Sequence, residues 1–333
     1  MQNGGVIGNI VSINNTATSG MWSLREVELK RRDFLWPSTA LNSQVVYSIP
    51  GSYNFIVPED INFISVVAVG GGGAGDDGNS GDGGGGGGGG GALAYANNIP
   101  VTPFSTISVV VGAGGSNGNG KNTRAESGAN STVTTGSFVI SAGGGQGGAP
   151  FSATPGATGG TFSFSNTPVG VTTGGGAGGD GGAGYDGGGG GGGAGGYGDR
   201  GGHGSRSIIT YGAYGPDAVN GVGIGSGGGG GAAHSAGTGN SGGNGGAGQN
   251  NTTGGGGGGA NIYSNTNPTT SGAAGNNLNS TGSQGGAGGF PGGGGGGSFD
   301  SNVGLASSGG NGAVRIIYLG NLRQFPSTRV TDE

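Results

Sequence analysis

The chain has 333 residues, of which 99 are glycine and 8% are charged, against roughly 7% and 25% in an ordinary domain. Its net charge of -5 excludes a nucleic-acid binder of the basic-patch type, and no nucleic-acid partner is expected. With no cysteine there is no disulfide framework and no thiolate metal site. Two histidines, His203 and His234, leave little for metal or acid–base chemistry.

The N-terminus MQNGGVIGNI lacks a basic n-region and a long apolar h-region, so no signal peptide is expected. The next element is the one clear helix signal, WSLREVELKRRDFLWP. Ser23 and Glu26 form a capping box, and Trp22 and Val27 stand at hydrophobic-staple positions. Pro37 ends the pattern. A helix of about 12 residues is marginal alone. Trp22, Leu24, Val27, Leu35 and Trp36 therefore need a surface, either this protein's own body or a larger assembly. Residues 1–42 are read as a docking segment.

Strand signals follow at Gln44–Ile49, Ser52–Val57, Asn62–Val69, Ala92–Asn97, Thr106–Val111, Ser131–Thr135, Phe138–Ala142 and Ala313–Tyr318, rich in β-branched and aromatic residues and bounded by turn residues. The apolar run 61–69 is too short to cross a bilayer. These segments hold most of the large apolar residues. An all-β class is expected: a small antiparallel sandwich over 43–320, with a C-terminal tail at 321–333. The first and last strands bracket everything else, so the glycine blocks (mainly 70–91, 143–148, 174–204, 225–259 and 285–297) are insertions within one domain.

The blocks carry a period of three. Ala177, Asp180, Ala183 and Asp186 keep one phase; so do Ala194, Tyr197, Arg200, His203 and Arg206; so do Ala232, Ser235, Thr238, Ser241, Asn244, Ala247 and Asn250; Gln284, Ala287 and Phe290 repeat it. Three residues per turn is the polyproline II period, about 3.1 Å rise per residue with no internal hydrogen bonds. Glycine helices of this kind can pack side by side. Interior edges must then be glycine, and edges bearing Ala, Asp, Tyr or Asn face outward. Ordering a residue's backbone costs on the order of 1–2 kcal/mol, whereas a net hydrogen bond returns about 0.5–1.5. A single such helix is unstable, so the blocks fold as a bundle. A flexible glycine linker is the competing reading, and the fixed phase argues against it.

Chemistry motifs are weak. Gly115–Asn122 nearly matches a P-loop, but Asn122 stands where Ser or Thr would hold magnesium and no helix signal follows. Gly181–Asp186 resembles one calcium-binding nonapeptide without a tandem array. Asp76, Asp77 and Asp82 read as solvated loop carboxylates, and no carboxylate pair has a context that would perturb its pKa. No enzyme, cofactor or metal is expected. Phe162, Phe164, Tyr211, Tyr214 and Tyr263 sit among Ser, Thr, Asn and Gly, a mixture like that of a paratope. They are the receptor-binding candidates; the alternative is that they pack beneath the loops as small satellite cores.

The pattern IPGSYNFIVPEDINFISVVAVGGGGAG, then GGGGALAYANNIPVTPFSTISVVVGAGG, with the closing AVRIIYLG, resembles the glycine-rich domain of bacteriophage tail fibres over roughly Val45 to Gly148. The later blocks resemble distal-tip adhesins of T-even-like phages, in which a polyglycine II sandwich displays variable loops that bind host outer-membrane proteins. GVIGNI and SGMWSLREVELKRRDFLWP resemble a short segment near the ends of structural proteins in marine phages. The chain departs from tail fibres in lacking a coiled-coil or β-helical shaft. The resemblance implies a virion adhesin, made in the host cytoplasm. Its partners would be other virion proteins through the N-terminal segment, a bacterial outer-membrane protein or surface glycan, and a possible homo-oligomer. The alternatives are a capsid-decorating or filament-forming protein assembled through glycine faces and, more distantly, an ice-binding protein.

Overall fold

A computed structural model describes residues 6–9, 19–22, 44–78, 83–116, 123–150, 156–184, 187–206, 254–262, 276–278, 282–298, 307–318 and 320–326. The chain divides into two units at Ser43/Gln44. In the first, β1 (Val6–Asn9) and β2 (Ser19–Trp22) form an antiparallel hairpin with Val6 opposite Trp22. The expected helix lies outside the described residues, and among those there is no α-helix.

The second unit is an antiparallel sandwich. One sheet contains β4 (Gly51–Ile56), β7 (Thr106–Val111), β8 (Ser131–Thr135), β9 (Phe138–Ala142) and β10 (Phe162–Ser165), in the order β10-β9-β8-β7-β4. The other contains β3 (Gln44–Tyr47), β5 (Phe63–Val69), β6 (Leu93–Pro100), β11 (Thr172–Gly176) and β14 (Ala313–Tyr318), in the order β11-β6-β5-β14-β3. A small hairpin pairs β12 (Asn276–Leu278) with β13 (Gly282–Gln284). All eight strands expected from the sequence are present. β10 and β11 add one edge strand to each sheet.

Alternation explains the first sheet. In β9, Phe138, Ile140 and Ala142 are buried while Val139 and Ser141 are only half-buried, the pattern of a sheet with one face on the core. The second sheet is different: β14 is buried at every position and β5 at all but Phe63. Their runs FISVVAV and AVRIIY are buried on both faces because both faces are covered, and Ser65 and Arg315 are polar members of the outer face. Ile64, Val66, Val314 and Ile316 belong to one face, and Val67, Val69, Ala313 and Ile317 to the other. The latter packs against Tyr197, Ile262, Phe290 and Phe325. The C-terminal segment is clipped to this outer face: Asn97 Nδ2 donates to Phe325 O (2.9 Å) and Phe325 N donates to Asn97 Oδ1 (2.8 Å).

At one end of the sandwich the strands do not turn. Val69 runs on into 70–76, 85–92 runs into β6, β7 runs on into 112–115, β9 into 143–149, β11 into 177–184, and 307–312 runs into β14. These continuations are the polyglycine II bundle, as their hydrogen bonds show. From 70–76, the amides of Gly70, Gly73 and Asp76 donate to the carbonyls of 92, 89 and 86; Gly71 and Ala74 donate to 129 and 126; Gly72 and Gly75 donate to 310 and 307, all at 2.8–3.0 Å. The carbonyls point to three further neighbours. Those of 71 and 74 accept from 145 and 148, those of 73 and 76 from 295 and 298, and that of 72 from 115. Steps of three in sequence mark a threefold screw, and the helix is surrounded on all six sides by other backbones. Helix 85–92 repeats the arrangement, donating to 292–298, 143–149 and 179–182 in the same steps.

Glycine is required here by space rather than by backbone conformation. A Cβ added at Gly87 would fall on the carbonyl oxygen of Gly190, and one at Gly90 on that of Gly193. Few bundle glycines need a left-handed φ; Gly78 (74°) and Gly292 (84°), at helix ends, are among them.

One expected edge is divided. Ala194 and Tyr197 end helix 189–196, where they are buried against the second sheet, Tyr197 stacking on Phe325 at 5.8 Å. The chain then reverses, and Arg200, His203 and Arg206 lie on the next helix. The three-residue phase persists, but Tyr197 faces the sheet rather than solvent, because its ring gains an apolar surface there.

Candidate functional site

The out-and-back path gives the second unit two unlike ends. Helices 70–76, 143–149, 177–184, 200–206 and 292–298 run away from the sheets, and 85–92, 125–129, 157–161, 189–196, 254–260 and 307–312 run back. The described residues that flank 79–82, 117–122, 151–155, 185–186, 207–253 and 299–306 therefore lie at the end of the bundle far from the sheets. At the opposite end lie the turns after β4, β6 and β10, and the start of β3 at Gln44. Five of the six large apolar residues exposed among the described residues are at this end: Ile56, Phe63, Phe104, Val169 and Leu322. Phe104 is 68% and Leu322 75% exposed.

The candidate binding aromatics fall in different places. Phe162 and Phe164 sit on β10, opposite Ala142 and Ile140, half-buried with their rings edge to face at 5.9 Å. They line the open margin of the sandwich core, on a strand rather than a loop. Tyr211 and Tyr214 lie outside the described residues, in the stretch that leaves the bundle at Arg206 and returns at Gly254. Tyr263 also lies outside them; it follows Ile262, which is at the sheet end. Of the docking candidates, Trp22 closes β2, and Leu24, Val27, Leu35 and Trp36 lie outside the described residues.

Three aspartates, Asp180, Asp76 and Asp77, have defined surroundings. Asp180, Arg200 and His203, at three-residue positions on parallel helices 177–184 and 200–206, form a cluster. Arg200 Nη2 is 3.2 Å from Asp180 Oδ1, His203 Nδ1 is 3.3 Å from Oδ2, and Gly159 N donates to Oδ1 at 2.9 Å. Arg200 Nη1 also lies 3.3 Å from His203 Nε2, and the Asp180 backbone amide donates to His203 Nδ1 at 3.1 Å. The His203 hydrogen bond, with help from Gly159 and Arg200, holds the Asp180 carboxyl below its ordinary range against the opposing effect of burial.

Asp76 and Asp77 correct the reading from sequence. They are 2% and 1% exposed, not solvated, because Asp76 continues the phase of Gly70 and Gly73 inside the bundle. Burial pushes the Asp76 carboxyl up to about 7, opposed by the Gly78 amide that donates to Oδ1 at 2.9 Å. The Asp77 carboxyl is also raised by burial, and its Oδ1 is buried without a partner. A carboxylate pair with a perturbed pKa therefore exists. Among the described residues no three acidic or imidazole side chains gather as a metal site. The described part of the P-loop-like stretch offers no free amides, since Gly115 N bonds Gly72 O and Ser116 N bonds Glu126 Oε2. Gly181 and Gly182 of the nonapeptide-like stretch are bundle residues.

Comparison with curated proteins gives no match. A family model described as a glycine-rich domain matches residues 47–278. The match stops before β14, although β14 lies between β5 and β3, so the fold closes with a strand beyond the matched span. Covering more than half of the chain, the match shows that this protein belongs to the glycine-rich domain family.

Proposed function

We propose that the chain is a bacteriophage structural protein, a tail-fibre or tip adhesin that is held in the virion at its apolar end and presents loops to a bacterial surface at its glycine end. The observation that carries this reading is the division of labour between the two ends. Gln44 opens β3 at the same end as exposed Ile56, Phe63, Phe104 and Leu322, whereas the described residues flanking 207–253, the longest connecting stretch, lie at the other end. Binding residues commonly sit on loops held by a rigid scaffold, and a bundle of mutually bonded backbones is such a scaffold. The resemblance of residues 45–148 to phage tail fibres supports the same reading. The partners are then virion proteins, contacted through residues 1–42 and the apolar end, and a host outer-membrane protein or surface glycan.

Deletion of residues 207–222, which include Tyr211 and Tyr214, tests this reading in phage particles. Particles with the deletion should assemble normally and lose adsorption to the host, and exchange of the 207–253 stretch between related phages should change host range. Normal adsorption by particles carrying either change would refute receptor binding at this end.

A further inference from the structure

A backbone bundle of this kind has no intrinsic limit to its width. Any outer helix exposes N–H and C=O groups at three-residue intervals, and another glycine-rich strand could dock on them as a strand docks on an open sheet edge. On several surface helices of this bundle, outward amides are not left free.

Helix 143–149 shows how. Two rows of its amides bond backbone: Gly143 and Gln146 donate to 161 and 158, and Gly145 and Gly148 donate to 71 and 74. The third row points where no helix lies. There Gly144 N donates to Asn130 Oδ1 at 3.0 Å and Gly147 N donates to Ser127 Oγ at 3.1 Å. The carbonyl of Gly147 accepts from Arg124 Nη1 at 2.9 Å. Ser127 and Asn130 are themselves three residues apart on the antiparallel neighbour, so their side chains follow the repeat that a further backbone would need.

The same device recurs on other outer helices. Gly114 N donates to Asn311 Oδ1 (3.0 Å), Thr158 N to Gln146 Oε1 (3.2 Å) and Gly159 N to Asp180 Oδ1 (2.9 Å). In each case a side-chain oxygen occupies an amide on the bundle surface. Central helix 70–76 has backbone neighbours on every side and uses no such cap.

We propose that Ser127, Asn130, Gln146, Asp180 and Asn311 are growth stops, which block the outward amides of helices 112–116, 143–149 and 157–161 against a second copy of this chain. The face formed by 112–116, 125–130 and 143–149 is the surface on which that copy would otherwise add its own glycine helices. This inference is independent of the receptor-binding role and opposes a filament built through glycine faces.

Sedimentation of the full chain over a wide concentration range tests it. The parent should keep one mass. The variant Ser127→Ala/Asn130→Ala/Asn311→Ala, which retains each Cβ but loses the acceptors, should show a concentration-dependent rise in mass of about twofold or more. Asn130→Asp keeps an acceptor oxygen and should remain at the parent mass. If the triple variant fails to fold, the single Asn130→Ala variant answers the same question by its mass and by amide exchange over 143–148. A folded variant without caps that stays at the parent mass overturns the proposal. So does association of Asn130→Asp equal to that of Asn130→Ala. A parent that itself associates, with amide protection over 143–148 increasing with concentration, also overturns it.

Discussion

The sandwich and the glycine bundle are continuous in chain and opposite in construction. In the sandwich, side chains such as Ile64, Val66, Ile140 and Ile316 fill the interior, and the backbone holds them in register. In the bundle the backbone itself is the interior, and the buried side chains there are few and mostly small, such as Ala74 and Ala157. A core of side chains fails when atoms are removed, because a cavity remains. A core of backbones fails when atoms are added, because at most of its glycines a carbonyl already stands where a Cβ would go.

The largest effect should follow from adding one carbon to the bundle. Gly90→Ala places a Cβ on the carbonyl oxygen of Gly193, in a helix bonded to several others. Its neighbour is rigid backbone, so relief requires the separation of helices 85–92 and 189–196 and the loss of the bonds from Gly192 to Gly88 and from Gly195 to Gly91. A destabilisation above about 4 kcal/mol is expected. Gly86→Ala meets nothing nearer than 3.2 Å, and Gly198→Ala meets nothing within 4 Å. Denaturant unfolding of the three variants should rank them Gly90, Gly86, Gly198 in decreasing cost. Equal costs would show that conformational entropy, not space, sets the requirement for glycine.

The next effect concerns charge inside the bundle. The Asp76 carboxyl is raised from 3.8 to about 7 by burial, so between these values the folded chain keeps a proton that the unfolded chain has lost. The protein is then most stabilised by this group below pH about 4 and loses that contribution as the pH rises through about 7. The loss should be on the order of a few kcal/mol. Asp76→Asn should flatten the dependence, keeping near pH 8 the stability that the parent has near pH 5. A parent whose melting temperature does not fall between those two pH values would show that Asp76 is hydrated in solution.

How much of this could be read in advance also differs between the two regions. The eight sandwich strands were legible because β-branched and aromatic runs broken by turns have few other meanings. The bundle was legible because Ala177, Asp180, Arg200 and His203 keep a three-residue phase. β10 and β11 were not. Their sequences FSFS and TTGGG sit in polar, glycine-rich surroundings, and only pairing with β9 and β6 makes them strands. The burial of Asp76 carried a signal, its phase with Gly70 and Gly73, but aspartate beside a loop reads as solvated. The burial of Tyr197 had none, since the reversal at 197–199 is decided by the distant surface of Tyr95 and Phe325. Of the candidate site, the sequence indicated which stretches connect the helices but not that so many leave at one end. That follows from the alternating directions of helices far apart in the chain.

The smallest effect belongs to the rim, where backbone and side-chain construction meet. Arg200 and Asp180 are 47% and 36% exposed at their side chains, so their attraction is screened by water and the pair contributes less than about 1 kcal/mol. Helix 200–206 nevertheless has few other ties: Gly201 N to Ala177 O and Gly204 N to Asp180 O on one side, and the carbonyls of 199, 202 and 205 toward helix 189–196 on the other. Arg200→Ala should therefore leave global unfolding almost unchanged while amide exchange over 199–206 becomes several-fold faster. The Asp180 carboxyl, held low mainly by His203, contributes its stabilisation above its ordinary pKa and loses it as the pH falls through the depressed value. The local effect of Arg200→Ala should thus vanish in strong acid. Unchanged exchange at neutral pH would show that the backbone bonds alone hold the outer helix. A global cost well above 1 kcal/mol would show instead that rim side chains hold the bundle together, and the contrast between its interior and its edge would then fail.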